Sequence, residues 1–140
     1  VTRLGVAVAG PGAAPACVER GLPAGSARDA RATAPVVDYD RNDGLQAQWL
    51  AGRGVDPSRP PRHYVPASED YATAVRLGFG WGLLPPMQAQ AALDDGRLVR
   101  LDGPRASVPL YWQQWNLRSP LLADIRDAVV SAAHAALETS

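Results

Sequence analysis

The chain has 140 residues, 46% of them hydrophobic, and no net charge, so it can bury one core and carries no repeat or composition break that would call for a second domain. All 14 basic residues are arginines scattered among aspartates, a bias expected of GC-rich coding and not of a nucleic-acid surface. The single Cys17 excludes an internal disulfide and a cysteine metal cluster, and no apolar run approaches the roughly 20 residues that span a bilayer.

Residues 1–16 lack the basic start and long apolar core of a signal peptide, so a cytoplasmic protein is expected. A start at Val1, close to a strand, suggests a fragment or a shortened gene. Residues 4–9, LGVAVA, predict a strand buried on both faces, ended by Gly10, Pro11 and Gly12. A short helix over 13–20 follows, then a surface connection with one helical turn over 21–31. Residues 35–39, PVVDY, predict the second strand, and Asp40 to Gly44 a polar turn. Leu45, Trp49 and Leu50 give the next helix its apolar stripe, which Gly52 and Gly54 end. The proline-rich stretch 55–62 is irregular.

Residues 63–85, HYVPASEDYATAVRLGFGWGLLP, are the unit on which the rest is built. They read as strand, helix, glycine turn and strand. Ser68 is placed to cap a helix reaching about Leu77, with Glu69 and Asp70 in the first turn where the helix dipole favours negative charge. Gly78 and Gly80 permit a positive φ and a close backbone approach before the strand 81–85. A helix over 86–95 ends at Gly96, 98–101 is a short strand, and 108–115, VPLYWQQW, is β-prone and aromatic. The last helix is the clearest. Ser119 caps it, Pro120 takes its first position, and Leu121, Leu122, Ile125, Val129, Ala132, Ala133 and Ala136 recur at helical spacing. That one-sided stripe must bury against the sheet or against a second copy of the chain. Alternating strands and helices of these lengths imply an α/β sheet with parallel strands joined by helical crossovers.

No phosphate-binding loop, dinucleotide fingerprint or pair of histidines at ligand spacing is present, so neither a catalytic residue, a cofactor nor a metal is assigned. His63 and His134 read as structural or solvated, and Cys17 as a small buried hydrophobe without an activating base. Two constellations point to a small-molecule site at the carboxyl ends of strands, where open α/β sheets bind ligands. One is the helix start at Ala67 and Ser68, suited to an α-carboxylate. The other is the acidic group Asp38, Asp40 and Asp43, suited to a cationic side chain. Each has a plainer alternative: Ser68 as a mere cap, Asp38 paired with a nearby arginine, and Asp43 capping the next helix. Tyr111, Trp112 and Trp115 line a pocket or, more in keeping with their type, pack a core.

The runs VPASEDYATAVRLGFGWGLLP, VPLYWQQWNLRSPLL and APVVDYDRNDGLQ resemble the effector domain of LysR-type transcriptional regulators, above all the lysine- and arginine-responsive LysG/ArgP-like branch. The first run carries the general form of the superfamily. DRNDGLQ together with LYWQQWNLRSP is particular to that branch. The resemblance covers 34–137 well and 4–18 loosely. It implies an α/β fold of the type II periplasmic-binding-protein kind with a mixed, mostly parallel sheet and flanking helices. Residues 1–140 would be one effector-domain lobe, the second of two, with a returning helix over about 119–137. The family's N-terminal winged helix-turn-helix and most of its first lobe would be absent. The resemblance further implies binding of L-lysine or L-arginine, contact with DNA only through the missing domain, homo-oligomers, no membrane association and no enzymatic activity. Carried to matching positions, the ligand contacts fall at Ala67, Ser68, Asp40 and Asp43 and at the Gly80 to Trp81 turn. The alternative is a stand-alone small-molecule-binding module without a transcriptional role.

Overall fold

A computed structural model describes residues 1–21 and 32–139. The expected helical turn within 21–31 lies outside the described residues except for Gly21. The chain divides into two compact units, Ala9–Ala106 and a second made of Val1–Val8 with Ser107–Ser140.

The larger unit is a mixed α/β layer. Strand β2 (Val36–Asp38) runs parallel to β3 (Arg62–Tyr64), pairing Val36 with Arg62 and Asp38 with Tyr64. The segment entering β4 (Gly82–Leu84) lies along the other edge of β2 through a parallel bridge between Val36 and Trp81. Strand β1 (Thr2–Ala13) is antiparallel both to β4 and to β5 (Val99–Arg100). Five strands therefore follow the order β3-β2-β4-β1-β5.

Both faces of this sheet are covered, which is why its strands read as continuous apolar runs. Successive residues point to opposite sides. Val36 and Leu83 enter one core with Cys17 of α1 (Pro15–Gly21) and with Trp49 and Leu50 of α2 (Leu45–Gly52). Val37 and Leu84 enter another with Tyr71, Ala72 and Val75 of α3 (Ser68–Arg76) and with Ala89 and Ala92 of α4 (Pro86–Asp94). Cys17 is thus the buried small hydrophobe expected.

Two local features depart from expectation. Gly10, Pro11 and Gly12 do not end β1, because neighbours on both sides hold them in the ladder: Gly10 pairs with Leu84, Gly12 with Gly82 and Arg100. Pro11 lacks only a donor, and its carbonyl accepts from the Leu101 N–H at 3.0 Å. The cap of α3 is Ala67, in extended conformation, so Ser68 is the first helical residue and not the cap. The far end of α3 matches the glycine signal. Gly78 takes φ +88°, its N–H donates to the Val75 carbonyl and that of Phe79 to the Ala74 carbonyl, a Schellman close. A side chain at Gly80 would stand 2.6 Å from the Pro35 carbonyl oxygen, so the close approach there requires glycine.

In the smaller unit, β6 (Ala106–Trp112) pairs with β1, and α5 (Pro120–Ala136) follows. The Ser119 hydroxyl accepts from the Leu122 N–H at 3.3 Å and Pro120 opens the helix, as its sequence predicts. The helix returns to the start of β1. Val6 donates to the Glu138 carbonyl at 2.7 Å, and Glu138 donates back to the Val6 carbonyl at 3.1 Å. No residue of α5 is buried. Among the described residues, no helix is long and apolar enough to cross a membrane.

Candidate functional site

Because β2 and β3 are parallel, their carboxyl ends lie side by side and deliver two loops to one edge of the sheet. From β2 the chain enters the turn Tyr39 to Gly44. From β3 it reaches Ala67 and α3 within a few residues, and the Val65 N–H still donates to the Asp38 carbonyl at 2.9 Å. The two constellations singled out in the sequence, the acidic turn and the helix start, are brought to the same edge.

The acidic turn is built from its own carboxylates. Asp40 Oδ1 accepts from the N–H groups of Asn42 at 2.8 Å and Asp43 at 3.0 Å, closing a tight polar turn. Asp43 Oδ2 accepts from the Tyr39 N–H at 2.9 Å, and Oδ1 from the Leu45 N–H at 3.1 Å, so it ties the end of β2 to the start of α2. Asp38 is buried and takes the Arg62 Nε–H at 2.9 Å. The plainer reading of Asp38 holds, since it is ion-paired, whereas the cap of α2 is Gly44 and Asp43, one residue before it, only accepts from the Leu45 N–H. Burial pushes the Asp38 carboxyl above its ordinary range, against the pull of Arg62.

Behind this turn sits Gln46, 1% exposed and, with Asp38, one of two buried polar side chains among the described residues. With its amide nitrogen turned to the carboxylates, it donates to Asp43 Oδ2 at 3.1 Å and Asp38 Oδ1 at 3.2 Å, and its carbonyl oxygen faces the Tyr71 hydroxyl. The opposite orientation would set the amide oxygen against two carboxylates. The Tyr71 hydroxyl also lies 2.7 Å from the Val37 carbonyl, so two carbonyl oxygens are within reach of its one proton. Burial first, then the charges of Asp43 and Asp38, push the Tyr71 phenol well above its usual value. Tyr71, Asp38 and Arg62 join β2, β3 and α3, with Gln46 adding α2.

At the helix start, no side chain caps α3, so the N–H groups of its first turn point outward without a capping oxygen. The exposed Ser68 hydroxyl receives only the Gln88 amide, at 3.3 Å, from the first turn of α4. Glu69 and Asp70 stand in the first turn as expected. This edge offers outward N–H groups and a hydroxyl for an anion, beside a turn with a negative excess. Around that turn three carboxylates, Asp38, Asp40 and Asp43, face two guanidiniums, that of Arg62 and that of Arg41, which lies over the Tyr64 ring at 5.0 Å.

Gly80 and Trp81 are not brought to this edge. They precede β4, beside Pro35 and Val36 at the amino end of β2, and the three residues of β4 separate them from its carboxyl end by about 10 Å. Trp81 is buried against Trp49, ring centroids 5.1 Å apart, and its Nε1–H has no hydrogen-bond partner. The expected core role of the aromatic run is overturned. Trp115 is 85% and Tyr111 53% exposed, and Trp112 is only half-buried. His63 is exposed beside Phe79, and His134 lies in the last turn of α5.

Gln46, Tyr71 and Arg62 are not among the site residues the sequence marks, Tyr71 reading only as part of the apolar face of its helix. A signal for the first was present: Asp43 followed three residues later by Gln46 is the spacing of a helix-start pair. Arg62 and Tyr71 carry no such local mark, since only the strand pairing sets them beside Asp38.

The sequence matches the model of the LysR substrate binding domain over residues 13–133. It is 50% identical over 107 residues to the lysine export transcriptional regulatory protein LysG of Corynebacterium efficiens, covering 75% of this chain and 37% of that protein. The fold superposes on ArgP from Mycobacterium tuberculosis with a TM-score of 0.89 and 38% identity, covering 99% of this chain and 48% of that one. It superposes on full-length LysG from Corynebacterium glutamicum with bound effector Arg with a TM-score of 0.84 and 37% identity, covering 98% of this chain and 47% of that one. The chain thus spans less than half the length of each of these relatives.

Proposed function

The chain belongs to the LysR substrate binding domain family, and from that premise we propose that it is the effector-sensing part of a LysR-type transcriptional regulator that binds a basic amino acid, L-arginine or L-lysine. The observation that carries this reading is the placing of an uncapped helix start and a negatively charged turn at one edge of a parallel strand pair. A basic amino acid needs both. Its α-carboxylate suits the N–H groups and hydroxyl at Ala67 and Ser68. Its cationic end suits the turn that holds Asp40 and Asp43. The Arg effector bound to the relative from Corynebacterium glutamicum supports the same ligand class.

Gly80 and Trp81 enter this proposal as supports of the sheet under the site, not as contacts. The 140 residues act as a single effector-domain lobe with a returning helix, and a regulator of this kind reaches DNA through a domain outside them, as an oligomer in the cytoplasm. Its working is thermodynamic. An effector that binds one arrangement better than another shifts the population toward it, and no covalent step is needed.

Calorimetric titration with L-arginine, L-lysine and L-leucine tests this, on the 140-residue chain and on the protein extended at its N-terminus. Selective binding of the two basic amino acids, weakened by Ser68→Ala, is expected. Equal binding of L-leucine, or no binding of any of the three by the extended protein, overturns it.

A further inference from the structure

We propose that Gln46 is the positioning residue of this site: its neutral amide holds the Asp43 and Asp38 carboxylates side by side and so fixes the turn from Tyr39 to Gly44 that meets the effector. The inference rests on the effector reading above but is tested apart from it. Gln46 is buried on α2, a helix whose other buried residues, Trp49 and Leu50, are apolar. A glutamine there is explained by what it bridges. Its nitrogen has two hydrogens and two carboxylate oxygens to receive them, at 3.1 and 3.2 Å. Asp43 in turn holds the N–H groups of Tyr39 and Leu45, so the chain of contacts runs from Gln46 through Asp43 to the backbone of the turn.

Charge matters as much as shape. The groups facing Gln46 are Asp38 from β2, Asp43 from the turn and the Tyr71 hydroxyl from α3, with Arg62 of β3 on the far oxygen of Asp38. Only one of these four is cationic. An amide adds two donors without adding charge. A carboxylate of the same size would remove both donors and set a third negative charge against the pair.

Gln46→Glu turns that difference into a pH-dependent readout. The introduced carboxyl keeps one O–H donor while protonated and none once ionised. Hydrogen exchange of the 140-residue chain is followed by NMR, with rates divided by the intrinsic rate at each pH. The amides of Tyr39 and Leu45 report the turn. That of Leu98, which donates to the Ala92 carbonyl in the same unit, reports the rest of the fold. In the natural chain the ratio of turn to control protection stays level from about pH 6 to about pH 8. In Gln46→Glu it is below natural wherever the third carboxylate is ionised, by about tenfold or more at the higher pH, and recovers only as far as that carboxyl is protonated at the lower one. Gln46→Leu, which has no donor, lowers the ratio at both pH values.

A ratio in Gln46→Glu that keeps the natural value at both pH values, or Tyr39 and Leu45 losing protection only in step with Leu98, overturns the proposal. So does natural protection of the two amides in Gln46→Leu, which keeps the test decisive if the charged variant does not fold. L-arginine titration of the natural protein separates the two readings: its failure removes the effector assignment and leaves the exchange result standing.

Discussion

The two units of this chain use similar sequence signals to different ends. In Ala9–Ala106, β2 and β4 are buried on every residue and the helices press apolar residues into two cores. In the other unit a helix of 17 residues, correctly capped and with a regular apolar stripe, buries no residue, and β6 is exposed for most of its length. Local chemistry specifies α5: a serine cap, a proline at its start, helix-favouring alanines, and the return of its end to Val6. Among the described residues it has no fully buried face, although Leu122, Val129 and Val130 are half-buried, and packing is where most helix stability comes from. The fully buried cores among the described residues therefore lie in the larger unit.

The widest way to break this comparison is to remove one large side chain from each unit. Trp81→Ala empties a site 1% exposed at the meeting of β2, β4 and α2, and about 3–5 kcal/mol of unfolding free energy should be lost. Leu121→Ala acts on a residue 69% exposed, and its effect should stay within about 0.5 kcal/mol. Urea denaturation of both variants reads the difference. A loss at Leu121 rivalling that at Trp81 would mean that α5 buries its stripe in solution, and a midpoint that rises with protein concentration would identify a second copy as the cover.

Within the larger unit, the ion pair under the site is the next test. Arg62→Ala leaves Asp38 buried with Gln46 as its remaining side-chain donor, and should cost about 1.5–3 kcal/mol at neutral pH. Asp38 also sets a sign for pH. Burial raises its folded pKa above the ordinary value of 3.8, so its contribution is most favourable below that value and is lost as pH rises through the folded pKa. Asp38→Asn removes this dependence. Relative to that variant, the natural chain should lose stability on going upward from about pH 4, and Arg62→Ala should steepen the loss because the main opposing charge is gone. Chemical denaturation across the acid range checks both, and a natural chain that gains stability relative to Asp38→Asn as pH rises contradicts the assigned direction.

How much of this was legible in the sequence follows from the range of each cause. Ser119 with Pro120, and Gly78 after α3, act within a few residues, and the structure shows both as read. Pro11 failed as a strand breaker because Leu83 and Leu101, some seventy and ninety residues away, hold it in place. The aromatic run was legible as a strand, but whether Trp115 is buried depends on what lies over it, which local spacing does not encode. The location of the candidate site, at the ends of two parallel strands, came from the general rule for such sheets. Its inner wiring did not. Arg62 meets Asp38 only through the strand register, and Gln46 leaves no mark on a helix whose visible signal is its apolar stripe.

Ser68 and Asp43 provide the smallest and sharpest contrast, since both were assigned to ligand contact by resemblance but differ in their ties to the fold. Asp43 accepts two backbone N–H groups and the Gln46 amide, and Asp43→Ala should cost about 1–3 kcal/mol, because those donors lose a charged acceptor. Ser68 is exposed, caps nothing and its hydroxyl receives one long bond from Gln88, so Ser68→Ala should change stability by less than about 0.5 kcal/mol. Alanine is also a good helix former at that position. Thermal unfolding of the two variants beside the natural chain gives the comparison directly. With Ser68→Ala neutral for folding, any loss of L-arginine affinity it causes is a loss of contact at the helix start, whereas the same loss in Asp43→Ala is divided between contact and the collapse of the turn. A destabilisation at Ser68 as large as that at Asp43 would mean that its hydroxyl supports the fold, and the helix start would then lose its standing as a free anion-binding edge.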